Sequence, residues 1–211
     1  MSFKDYARGT TAYGALRIFR QRSAWIDWTE RQFSAPSPHF VKQTCLLRNA
    51  IQGGQWIETG TYLGQTTEIL ARLNQPVFSI EPEPALYSNA KKNFARYPNV
   101  EILHGTSEDI FPTLLPKLSG PVNFWLDGHY SAGITFKGPQ DTPIVDELAC
   151  ISLNLGHFGD VCVQIDDVRC FNPKIPEYST YPRLDDLVDW ARSHDFDWHI
   201  EHDIFVARRQ G

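Results

Sequence analysis

The chain has 211 residues, 42% hydrophobic and 21% charged, the balance of a folded domain with a sizeable core rather than a disordered segment. A formal net charge of −5 argues against nucleic acid as the main partner. No apolar run approaches the ~20 residues that span a bilayer, and the opening MSFKDYARGT has no apolar signal core, so a cytoplasmic location without a membrane partner is expected. Four cysteines, Cys45, Cys150, Cys162 and Cys170, show no C-x-x-C spacing and read as free thiols. The charge is uneven: residues 1–37 carry six Lys/Arg against three Asp/Glu, together with Trp25, Trp28 and other aromatics. This N-terminal arm is expected to be a helix packed on the body or on a second subunit of a homo-oligomer, or else a cover over substrate.

From residue 38 to 211 the pattern alternates as one domain. HFVKQTCLLRNAI spaces Phe40, Val41, Leu46 and Leu47 near helical period. QWIET is a first strand, ending at Gly60, and QTTEILARL a helix. PVFSIEP is a second strand, followed by the helical ALYSNAKKNFARY; NVEILHG is a third, followed by SEDIFPTLL. PVNFWLDG is a fourth, PIVDELACISLNL its helix, and DVCVQIDD the fifth. The helix YPRLDDLVDWARSHD follows, then two short strands in DWHIEHDIFVARR. Strands alternating with helices predict an α/β fold with a mostly parallel sheet covered on both faces. Two long connections, 128–142 and 168–181, leave from carboxyl ends of strands, where open α/β sheets bind ligands.

The first strand runs into ETGTYLGQTT, where Gly60 and Gly64 bracket a tight turn into a helix N-terminus. Tyr62 stands where a dinucleotide fingerprint needs its middle glycine. Glu81 closes the second strand, where a carboxylate can accept the hydroxyls of a ribose. After the third strand, Thr106 and Ser107 sit where a turn would face an adenine, although Ser107 is equally suited to capping the next helix. Asp127 closes the fourth strand, and Asp166 with Asp167 closes the fifth. Adjacent carboxylates cost free energy unless a cation or strong donors compensate them.

As an ordered set, ETGTYLGQT, IEPEP, GTSED, WLDGH and IDD resemble the metal-dependent O-methyltransferase branch of the class I S-adenosylmethionine-dependent methyltransferases: the catechol, caffeoyl-CoA and macrocin-type enzymes. The likeness spans about residues 55–170. It implies a three-layer Rossmann-like fold, with a seven-stranded sheet ending in an antiparallel hairpin. It also implies S-adenosylmethionine bound by Glu58, Gly60, Tyr62, Gly64, Thr66, Glu81, Thr106, Ser107 and Asp127, with Glu58 orienting the turn, Thr66 meeting the methionine carboxylate and Glu81 meeting the ribose.

In the implied arrangement the fourth strand lies beside the first and the fifth beside the fourth. Asp127, Asp166 and Asp167 then converge as an oxygen-lined site suited to Mg²⁺. The catechol enzymes place a lysine base three residues after the fourth-strand aspartate; here that position is Tyr130, and His129 is the candidate base. His199 and His202 lie three apart on a strand, face opposite sides and cannot share a metal. The expected activity is methyl transfer to a hydroxyl of a small molecule or sugar. A nicotinamide-dependent oxidoreductase, against which Tyr62 counts, and a non-catalytic assembly subunit are the alternatives.

Overall fold

The computed structural model describes residues 11–128 and 142–211. In chain order the elements are α1 (Thr11–Glu30), α2 (His39–Asn49), β1 (Gln55–Thr59), α3 (Gln65–Leu70), β2 (Val77–Glu81), α4 (Pro84–Phe94), β3 (Val100–His104), α5 (Ser107–Leu114) and β4 (Gly120–Leu126). They continue with α6 (Ile144–Asn154), β5 (Phe158–Ile165), α7 (Leu184–Ser193), β6 (Asp197–Glu201) and β7 (Ile204–Arg209). The helix expected over QTTEILARL is α-helical only to Leu70 and finishes as a 3₁₀ turn.

The seven strands form one sheet in the order β3-β2-β1-β4-β5-β7-β6. The first five are parallel, and β7 runs antiparallel to both β5 and β6. This is the mostly parallel seven-stranded sheet with a terminal hairpin that the sequence implies. The chain reverses its strand order between β1 and β4, and ligands of open α/β sheets bind outside the carboxyl ends at such a point.

Strand alternation divides the core. Ile57, Phe124 and Val163 go to one face with Ile144, Ile151 and Leu187, while Trp56, Trp125 and Cys162 go to the other with Cys45, Leu46 and Leu70. Because both faces are covered, Val122 to Leu126 is buried without a break. Phe124 is fully buried, and truncating such a side chain to Ala typically costs about 3–5 kcal/mol.

The packing of α2 corrects the sequence reading. Its buried stripe is Lys42, Cys45, Leu46 and Asn49, not the Phe40–Val41–Leu47 set, and Leu47 is exposed. The β6–β7 turn places His202 and Asp203 at φ 50° and 68°, two consecutive left-handed residues, as a two-residue hairpin turn requires. That turn is anchored twice. Ser37 donates to the His202 carbonyl at 2.9 Å, and the buried Trp28 stacks edge-on against the His202 ring at 5.7 Å. The carboxyl-terminal end of the aromatic arm is thereby docked on the hairpin.

Candidate active site

The turn after β1 is built from beneath. Glu58 is buried, and its Oε2 accepts hydrogen bonds from the Thr67 and Ser79 hydroxyls, each at 2.6 Å; Ser79 and Thr61 are also 2.6 Å apart. Glu58 thus ties β1 to both α3 and β2, and so fixes the turn between them. Burial is the main force pushing its carboxyl up to about 7; the two hydroxyls oppose the rise, and the nearby Asp127 and Glu81 charges add to it.

The glycines are required by space as well as by dihedral angle. Gly60 (φ 85°) would bring a Cβ within 2.5 Å of the Asp127 carbonyl oxygen, and Gly64 (φ 74°) would put one 2.6 Å from the Phe94 ring. Tyr62, also left-handed at φ 48°, turns its N–H onto Glu81 Oε2 at 2.8 Å. The Glu83 N–H reaches Glu81 Oε1 at 2.9 Å. Glu81 is therefore a buried carboxylate locked in place at the end of β2, beside the turn. Burial raises its pKa against the pull of these two N–H groups. Thr66 is buried on the first turn of α3.

After β3, Thr106 rather than Ser107 caps the helix: its hydroxyl oxygen accepts the Asp109 N–H at 3.3 Å. Ser107 is the first helical residue, is buried, and places its hydroxyl 3.2 Å from Glu108 Oε2.

Asp127, half-buried, donates its N–H to the Thr59 carbonyl at 3.2 Å, so the ends of β1 and β4 are joined beside the turn. Asp166 and Asp167 close β5 next to it, and both are buried. The compensating cation for this pair is Lys42, whose Nζ lies 2.5 Å from Asp166 Oδ1 and 2.6 Å from Asp167 Oδ1. Arg169 bonds Asp167 Oδ1 at 2.6 Å and also Asp203 on the hairpin turn. Asp203 in turn accepts the Arg169 backbone N–H at 2.9 Å and lies 3.9 Å from Lys42 Nζ.

Burial works against the Lys42 charge, but Asp166 and Asp167 outweigh it and its pKa is raised, so it remains an ammonium. Asp166 is pushed upward, first by burial and then by Asp127, against the pull of Lys42. The expected Mg²⁺ ligands thus hold a lysine. Among the described residues, no group of three or more His, Cys, Asp or Glu side chains is arranged to hold a metal ion. The donor set as folded does not fit Mg²⁺, because an ammonium fills the position that bridges the two carboxylates.

Three residues were missed by the sequence reading. Lys42 was hidden by the choice of helix face. His39, one turn earlier on α2, has Asp127 and Lys42 as its charged neighbours. Its ring keeps solvent contact, yet the protein packed around it holds the imidazole below its usual value, with Asp127 opposing. Its Nε2 lies 2.7 Å from the Gln43 amide nitrogen, which also donates to the Gln65 carbonyl at the head of α3 at 3.3 Å. Glu147 on α6 is buried, and among the described residues its Oε1 has no hydrogen-bond partner; burial pushes its carboxyl up to about 7 against the pull of the nearby Ser107 and Thr59 hydroxyls. Glu147 and Asp166 line one small cavity with Gly128, Thr142, Phe171 and Tyr181. His129 lies outside the described residues.

No family model matches the sequence. No curated protein matches it either. Solved structures do match. A proposed S-adenosylmethionine-dependent methyltransferase from Listeria monocytogenes is similar at a TM-score of 0.55 and 13% identity, over 80% of this chain and 97% of that one. The N-methyltransferase NodS from Bradyrhizobium japonicum is similar at 0.51 and 12%, over 81% and 94%. The 23S rRNA methyltransferase ErmE is similar at 0.50 and 14%, over 84% and 70%. These neighbours differ in acceptor, so the likeness speaks to architecture. The strand order also departs from the 3-2-1-4-5-6 of dinucleotide-binding sheets, because β7 is inserted between β5 and β6. The chain has the class I methyltransferase fold.

Proposed function

We propose that the protein is an S-adenosylmethionine-dependent methyltransferase whose acceptor is a hydroxyl oxygen of a small molecule or sugar. The observation that carries this reading is Glu81. It is a buried carboxylate fixed by two backbone N–H groups at the end of β2, beside a glycine turn with no room for side chains at Gly60 and Gly64. A ribose at that strand end would find an acceptor already oriented for its hydroxyls. Glu58, Thr66 and Tyr62 shape the turn that would hold the methionine portion, and Ser107 lies toward the adenine end. The carboxylates of Glu81 and Asp127 give the crevice a negative field suited to a cationic sulfonium.

In the reaction, a lone pair of the acceptor oxygen forms the new bond to the methyl carbon as the carbon–sulfur bond breaks and its electrons return to sulfur. The hydroxyl proton passes to an imidazole. His129, two positions after Asp127 in the sequence, is one candidate, and His39 on α2, with Asp127 as a charged neighbour, is the other. Holding oxygen, carbon and sulfur in line is the fold's main contribution.

The test is formation of S-adenosylhomocysteine from S-adenosylmethionine with panels of sugars, phenols and alcohols, and separately with ribosomal RNA and amines. Turnover with a hydroxyl acceptor supports the reading. Turnover only with RNA or amines would overturn the acceptor class and keep the cofactor.

A further inference from the structure

Two carboxylates side by side at the end of β5 need a cation, and this chain brings its own. The Lys42 side chain is 7% exposed and grows from the face of α2 whose next turn, Cys45 and Leu46, is packed in the core. Gln164 on β5 donates to the Leu46 carbonyl at 3.1 Å, so helix and strand are bonded one turn beyond the lysine. The lysine backbone is thereby held in register with the strand end, which keeps its ammonium within reach of both carboxylates.

A divalent ion bound by Asp166 and Asp167 would sit about 2.0–2.1 Å from their oxygens, inside the volume that Nζ fills at 2.5 and 2.6 Å. Two cations already bridge the three carboxylates here: Lys42 joins Asp166 to Asp167, and Arg169 joins Asp167 to Asp203. A metal would have to displace one buried cation and leave it beside the incoming charge.

We infer that Lys42 is a built-in replacement for the divalent cation: it holds the strand-end carboxylates in place and excludes metal from them, so the acceptor end of the site works without one. Lys42 is a positioning residue in this scheme, acting through Asp166 and Asp167. The inference rests on the acceptor site lying at that strand end, as proposed above.

The experiment is calorimetric titration of the full-length protein with Mn²⁺ and, in parallel, with S-adenosylhomocysteine, for wild type, Lys42→Met and Lys42→Arg. Wild type and Lys42→Arg are expected to show no saturable Mn²⁺ binding up to about 1 mM. Lys42→Met, with the carboxylates bared, is expected to gain Mn²⁺ binding at least about tenfold tighter than that limit. A role for Lys42 confined to stability would not create a metal site. Wild-type binding of Mn²⁺ below about 0.1 mM would overturn the inference, as would a folded Lys42→Met that binds none. Removing one partner of a buried ion pair costs about 3–5 kcal/mol; should Lys42→Met fail to fold, the wild-type titration decides alone. Absence of S-adenosylhomocysteine binding would count against the cofactor reading and leave the metal result readable by itself.

Discussion

Glu147→Gln isolates one buried charge. Glu147 is 2% exposed, its Oε1 has no hydrogen-bond partner among the described residues, and burial moves its carboxyl from 4.5 up to about 7. A carboxyl whose pKa is raised by folding favours the folded state while protonated. That stability is fully present below 4.5 and is lost as pH climbs through 7. By pH 8 the loss is about 3 kcal/mol, whereas at pH 5 it is under about 1 kcal/mol. Glutamine keeps the shape and never ionises. Relative to wild type, the variant should therefore be more stable at pH 8 than at pH 5 by about 2–3 kcal/mol. Urea unfolding of both proteins at the two pH values measures this double difference, and a constant offset between the strains cancels. Equal stability differences at pH 5 and pH 8 would show that Glu147 is not held protonated by burial.

Glu81→Gln exchanges a charged acceptor for an amide and should weaken S-adenosylhomocysteine binding at least about tenfold by calorimetry, with the circular dichroism spectrum unchanged; an affinity within about twofold of wild type would remove Glu81 from the ribose site. Gly60→Ala combines a forbidden φ with a Cβ 2.5 Å from the Asp127 carbonyl, so the melting temperature should fall by about 4 °C or more; an unchanged value would mean that the turn can relax. His129→Asn and His39→Asn, compared once an acceptor is known, should separate the base from its neighbour: the base loses about 100-fold or more in kcat, the other far less. Equal, small losses in both would place the base elsewhere.

The parallel sheet was legible because its strands are buried on both faces: VNFWL and VCVQI have no reason to be so apolar in any other setting. The glycine turn was legible for a similar reason, since only glycine tolerates the approach to Asp127. Lys42 was not legible, because its partner Asp166 lies 124 positions away and because a lysine on an amphipathic helix is normally solvated. Its one signal was helical phase: 42, 45, 46 and 49 form a stripe as regular as the one the aromatics suggested. Glu147 carried the same signal, one turn from Ile144 and Ile151 and in step with Leu148, whereas the adjacent Asp146 is exposed. The need of Asp166 and Asp167 for a cation was visible in their sequence. Which cation met that need was a tertiary fact, and the resemblance pointed to a metal where the fold supplies an amine.

The most direct test of the central claim is calorimetric titration of the protein with S-adenosylhomocysteine, with NAD as the control. Saturable binding of the homocysteine compound, at about micromolar Kd and without response to NAD, is the expected result. No binding of S-adenosylhomocysteine, or binding of NAD in its place, would contradict the claim that Glu81 and the Gly60–Gly64 turn form a methyl-donor site.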